Sequence, residues 1–285
     1  MIIGENRTAV IENIKEALKK SDFYAKVEIN DPVLTEEESN VIIEKYLAES
    51  KKPHYKIKMH AACLAADVVT AFINKNTDII GSEKAENISG GAIITSNHFS
   101  PVENTVVRYY VNKKLKKRLC IVSQVTNFAM KGIIGFFMNF ANTVPLSGNI
   151  KYMTGIFMNV LNEHIENNEV ILIYPEQEMW FNYRKPRPPK RGAYYFAAKL
   201  NVPVISCFVE IIDTDKNDTD EFKKIRYRIH ILDVLKPDPD ISVRENSRRL
   251  CDADYNLKKS AYERIYGKEL NYEFENSDIA GWNNI

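Results

Sequence analysis

From about Asp78 onward the chain alternates short β-branched runs with segments of helical periodicity, and that alternation leaves it few architectures to adopt. The runs GAIITSNH (91–98), RLCIVSQ (118–124), EVILIYPE (169–176) and VPVISCFVEII (202–212) are nearly continuous in apolar residues. Strands of that kind are buried on both faces, which requires helices above and below a largely parallel sheet. Helical patterns over 101–116, 151–166 and 191–200 lie between them, and RYRIHILDVL (226–235) supplies a further strand. The fold predicted for residues 76–270 is therefore α/β, a mostly parallel sheet flanked by helices. A polar loop is expected over 213–220, a break at KPDPD (236–240) and a last helix over 242–266.

The first 75 residues read differently, as an N-terminal helical extension. TAVIENIKEALKK (8–20) places Val10, Ile11, Ile14, Ala17 and Leu18 on one face. A second helix starts after Thr35, whose partner Glu38 completes a capping box, and a third covers about 58–73. Residues 271–285 form a C-terminal tail that looks poorly anchored.

Composition narrows the function classes. Lys and Arg number 39 against 38 Asp and Glu, a formal charge of +1, so no global field favours nucleic acid. Cys63, Cys120, Cys207 and Cys251 lie far apart with no paired spacing, as expected of reduced thiols, and no cluster has metal-ligand spacing. The N-terminus lacks the pattern of an export signal, which points to a cytoplasmic protein. The longest apolar stretches, 61–73 and 132–146, fall short of the ~20 residues that cross a bilayer. None of His54, His60, His164 and His230 has a partner at a telling spacing.

Ligands of open α/β sheets gather beyond the carboxyl ends of the strands. His98 follows one such end, with Asn97 before it, and Glu176 follows another. A histidine can take a proton from a hydroxyl if a carboxylate fixes its tautomer, and Glu103 lies five residues on. The same stretch, S-P-V-E, also reads as a helix start with Ser100 as N-cap, Pro101 at N1 and Glu103 at N3. Capping and catalysis are open alternatives here, and one carboxylate is not expected to serve both.

Four blocks in order, SNHFSPVE, LIYPEQEMW, the run KRGAYYFAAKLN and VPVISC, resemble the motifs of the glycerolipid acyltransferases, over roughly residues 90–210. That resemblance implies transfer of a fatty acyl group from a thioester, acyl-CoA or an acyl carrier protein, to a hydroxyl of a lysophosphatidic-acid-like lipid, without a cofactor. It makes His98 the general base and Glu103, where the family has Asp, the residue that holds it. Asn97 would support the turn, Glu176 would place the acceptor or scaffold the site, Gly192 would follow the basic pair Lys190 and Arg191, and all of these together with Ser100 are expected at the substrate.

The departures from the family pattern concern the phosphate. Where its third block carries Gly and then Arg, this chain has Gln177, Glu178 and Met179, and its second block, NTVPLSGN, has no Arg. A basic loop with Arg184, Lys185, Arg187, Lys190 and Arg191 could bind phosphate from another direction, or meet an anionic lipid surface, an acyl carrier protein or the phosphates of CoA. Alternatively the acceptor has no phosphate. Phe136, Phe137, Met138 and Phe140 suit either a core or a membrane-facing, acyl-contacting patch. Two rival classes stay open: a non-catalytic lipid- or acyl-binding protein, and a hydrolase, although no G-x-S-x-G elbow is present.

Overall fold

The structure, a computed structural model, describes residues 6–29 and 32–283. Residues 1–5 and 30–31 of the predicted extension and 284–285 of the predicted tail lie outside the described residues. Seven strands form one sheet in the order β1-β7-β6-β2-β5-β3-β4. They are β1 (Asp78–Ile80), β2 (Ala92–Thr95), β3 (Leu119–Gln124), β4 (Thr143–Leu146), β5 (Val170–Ile173), β6 (Val204–Asn217) and β7 (Lys223–Leu235). All neighbours are parallel except β6 and β7, which are antiparallel. That hairpin is longer than expected: residues 213–217, read as loop, continue β6, with a register irregularity between Asp213 and Asn217.

The continuous apolar runs do what their composition requires. Along β2 and β5, Ile93, Ile171 and Ile173 face one side of the sheet while Ile94, Val170 and Leu172 face the other. The first side is covered by α6 (Phe157–Glu166), α7 (Gly192–Leu200), α8 (Val243–Tyr266) and α2 (Glu36–Ser50), through residues such as Phe157, Tyr194, Leu250 and Ile43. The second is covered by α4 (Asn104–Tyr110), through Val106, Val107 and Tyr110. A buried polar tie also fixes the end of β2. Asp254 of α8 accepts from Thr95 Oγ1 at 2.9 Å and from Lys258 Nζ at 2.8 Å, and also from the Tyr194 hydroxyl.

The remaining helices are α1 (Arg7–Lys19), α3 (Pro53–Ile73) and α5 (Gly132–Phe140). The apolar face read in α1 packs Val10, Ile11 and Ile14 against Trp180, Phe181, Tyr183, Phe222 and Ile279. The tail is therefore not loose, contrary to the reading of 271–285. Ile279 and Ala280 are buried, the Ala280 N–H donates to Asn182 O at 2.9 Å, and Phe274 and Trp282 pack against the same cluster. Its spacing gave no periodic signal because it is held by scattered aromatic contacts and backbone hydrogen bonds. Among the described residues no helix is long and apolar enough to cross a membrane.

Candidate active site

β2 and β5 are paired neighbours whose last residues, Thr95 and Ile173, are in register. The segments that leave them, Ser96-Asn97-His98 and Tyr174-Pro175-Glu176, therefore emerge side by side. Asn97 is buried and continues the pairing by side chain: its Nδ2 donates to Val209 O at 3.0 Å and its Oδ1 accepts from Val209 N–H at 2.8 Å. The chain is thereby pinned one residue before His98.

His98 Nδ1 lies 2.5 Å from Glu103 Oε1, and the other carboxylate oxygen, Oε2, accepts the Ser100 backbone N–H. One carboxylate thus meets both demands that the sequence set in opposition, because its two oxygens point to different partners. The helix starts later than expected, since 101–103 is a turn and α4 begins at Asn104. Ser100 is buried in that turn and sends its backbone, not an open hydroxyl, to Glu103. The helix predicted over 101–116 is α-helical only to Tyr110 and finishes in a π-helical turn, Val111–Leu115.

Exposure separates the two members of the pair. The Glu103 side chain is 1% exposed and that of His98 21%, so the carboxylate is hidden while the imidazole edge faces out. With Nδ1 occupied by Glu103, the ring presents Nε2 to whatever binds. The Tyr174 ring stacks on the imidazole, with centroids 4.2 Å apart and an interplanar angle of 11°. Burial, with the Glu103 charge adding, holds the Tyr174 phenol well above its ordinary pKa, so it stays protonated. No spacing rule pointed to this contact, although an aromatic residue directly after a strand and before P-E was its only visible signal.

Glu176 lies inward as a scaffold. Its Oε2 accepts the His98 N–H at 3.2 Å and its Oε1 the Arg187 N–H at 3.1 Å, and the Arg187 guanidinium lies 3.2 Å from Oε2. Residues 98–99 also pair with the continuation of that block, since Trp180 N–H donates to His98 O and Asn182 N–H to Phe99 O. Gln177 occupies the left-handed region, φ 67°, where the family carries Gly. The turn is kept although the residue that makes it cheap is absent.

The basic loop is largely committed to the protein. Arg184 pairs with Asp213, Lys185 is buried against Asp278 at 2.8 Å, and Arg187 is buried with Glu176, its guanidinium also donating to Phe23 O. Lys190 and Arg191 are exposed, and the Lys190 N–H donates to Pro175 O at 2.7 Å, which keeps them beside the Glu176 segment. Gly192 is the exposed first residue of α7. Of the residues expected to touch substrate, Asn97, Ser100, Glu176 and Lys185 are therefore buried in protein contacts.

The expectation that the other histidines lack partners is also corrected, and three of them meet carboxylates. Glu49 lies 2.8 Å from His54, Glu210 lies 2.7 Å from His230, and Glu169 lies 2.8 Å from His164. The last pair repeats the five-residue spacing of His98 and Glu103 at the opposite edge of the sheet. Burial opposes charge on His164, but Cys120 and Glu169 outweigh it and push its pKa up to about 10. Among the described residues no group of side chains could hold a metal ion.

A half-exposed imidazole backed by a hidden carboxylate, at the carboxyl edge of a parallel sheet, is the arrangement that general-base chemistry on a hydroxyl requires. Residues 76–210, just under half of the chain, match the family described as Acyltransferase, in keeping with the glycerolipid acyltransferase motifs read there. Among solved structures it is similar to the 1-acyl-sn-glycerophosphate (LPA) acyltransferase PlsC from Thermotoga maritima, with a TM-score of 0.50 and 13% identity. The likeness covers 93% of this chain and 100% of that one, and at such identity it is one of fold. No curated protein matches the chain.

Glu176 gives a direct test of the scaffold. Glu176→Ala leaves the Arg187 guanidinium buried without its carboxylate, which is expected to cost about 3–5 kcal/mol in urea unfolding. A loss below about 1 kcal/mol would show that the two segments hold their positions without it.

Proposed function

We propose that this protein transfers a fatty acyl group from an acyl thioester, acyl-CoA or an acyl carrier protein, to the hydroxyl of a lysophosphatidic-acid-like lipid. The observation that carries this reading is the contact between His98 Nδ1 and Glu103, which leaves Nε2 as the accepting nitrogen. The acceptor hydroxyl gives its proton to Nε2 as its oxygen attacks the thioester carbonyl. Glu103 stabilises the imidazolium that forms. Collapse of the tetrahedral intermediate breaks the carbon–sulfur bond, and the imidazolium returns its proton to the departing thiolate. No cofactor takes part in this sequence. Lys190, whose Nζ sits 3.6 Å over the Tyr24 ring, and Arg191 are the exposed cations beside the Glu176 segment and would take the acceptor phosphate.

A second acceptor class has a specific observation in its favour. Arg184, Lys185 and Arg187 are held by carboxylates of the protein. Of the loop's arginines only Arg191 is exposed, one guanidinium where the resembled motifs carry two, which favours a phosphate-free alcohol.

The acceptor and donor would meet the enzyme at a lipid surface on the cytoplasmic side. Of the predicted patch Phe136 is exposed, while Phe137, Met138 and Phe140 are only partly so. The open apolar surface extends from it to Ile133 and Ile134 of α5 and is widest on α3, at Ile57, Leu64, Val68 and Phe72. Phe72→Asp should therefore reduce co-sedimentation with lipid vesicles, and unchanged sedimentation would exclude α3 as the contact.

Thiol release from a long-chain acyl-CoA, measured with lysophosphatidic acid, a phosphate-free alcohol or no acceptor, tests the chemistry. Release should require an acceptor and fall by about 10²–10⁴ in His98→Ala. Equal release without acceptor would indicate a hydrolase. Release that His98→Ala leaves intact would remove His98 as the base.

A further inference from the structure

A concave surface lies at the opposite edge of the sheet from His98, where β3 and β5 begin. A cavity of about 520 Å3 opens there. Lys56 and His60 of α3, Lys116, Lys117 and Arg118 ahead of β3, and His164 at the end of α6 line it. Its acids are Glu163 and Glu169, so four Lys and Arg side chains face two Glu before either histidine is counted.

The local hydrogen bonds show which of these charges are free. Glu169 Oε2 accepts from Asn142 Nδ2 at 2.8 Å and lies 2.8 Å from His164 Nδ1, so it is already partnered. Lys117 Nζ donates to Gly90 O at 2.7 Å and to Asn168 Oδ1. Arg118 Nη2 lies 3.3 Å from His60 Nε2, which must accept because the guanidinium can only donate. His60 Nδ1 then donates to Lys56 O at 2.7 Å. Among the described residues Lys56, Lys116 and Arg118 make no ion pair, and all three are exposed around the cavity. Three cations thus share one concave wall with Glu163 and the already partnered Glu169, an excess of positive charge that an anion would relieve.

The geometry points to a binding site for a phosphate-bearing anion at the amino edge of the sheet, held by Arg118, Lys56 and Lys116. Arg118 supplies a planar fork for two phosphate oxygens, and the lysines supply point charges that a singly charged carboxylate would leave in excess. Lipid and free anion can both bring that chemistry. An adjoining cavity of about 190 Å3 is lined by Leu64, which is also part of the exposed apolar stripe of α3. A phospholipid headgroup could therefore enter with its chains along that stripe, and a soluble phosphate compound could enter alone.

The test uses the full chain, binding inorganic pyrophosphate by calorimetry at low salt and vesicles of phosphatidylcholine with or without phosphatidic acid by sedimentation. Lys56→Ala/Arg118→Ala changes two exposed side chains and should weaken one of these by at least about tenfold. Arg244→Ala/Arg248→Ala, two exposed residues of α8 away from this cavity and from the His98 site, should leave that binding unchanged. Loss of pyrophosphate binding identifies a free anion as the ligand, and loss of only the phosphatidic-acid-dependent sedimentation identifies a lipid headgroup. If the wild-type chain binds neither probe, or the Lys56/Arg118 variant binds both as the wild type does, the site does not exist. These readouts are independent of acyl transfer, so a failed turnover assay leaves them standing.

Discussion

The Glu103 carboxylate is the interaction on which the site depends. One oxygen meets His98 Nδ1 and the other the Ser100 N–H, so the turn that carries the histidine and the ring orientation share one anchor. Its near-complete burial keeps water from competing for either oxygen. In a low-dielectric setting both hydrogen bonds are stronger than they would be at the surface, and losing either would leave a buried carboxylate short of partners. Glu103 stands where the resembled motif has Asp, and its side chain reaches back across the turn to the Ser100 N–H.

Around that anchor the chain builds successive supports. Asn97 locks the residue before His98 to β6, and Glu176 accepts the backbone N–H of His98 itself. Glu176 is in turn held by Arg187, whose guanidinium stacks over Trp180 and donates to Phe23 O beyond α1. The N-terminal helix and the C-terminal tail close this arrangement, because both pack on residues 180–183. Elements read from the sequence as an appendage and a loose end are thus part of what holds the histidine turn in place.

How much of this was legible follows from which interactions have a sequence period. The strands were, since runs such as AIIT and VILI buried on both faces have few other uses. His98 and Glu103 were visible as a spaced pair, but not their simultaneous roles, because spacing says nothing of which oxygen points where. The basic loop misled: Arg184, Lys185 and Arg187 read as free charges because their partners Asp213, Asp278 and Glu176 are distant in sequence or separated by irregular chain. The pair of His164 and Glu169 has the same spacing as His98 and Glu103, but no flanking motif gives that spacing a meaning. Tyr174 lay between recognised residues, yet its stacking on His98 depends on β2 and β5 being neighbours, which no local pattern specifies.

The central claim is that Glu103 fixes the protonation geometry of His98, leaving Nε2 free to accept a proton. Nitrogen-15 NMR of the imidazole rings, with His98 assigned by comparison with His98→Ala, reads this directly. In its neutral state His98 is predicted to carry its proton on Nδ1, with Nε2 bare, and to lose that preference in Glu103→Ala. A neutral His98 protonated on Nε2, or a tautomer balance indifferent to residue 103, would contradict the account.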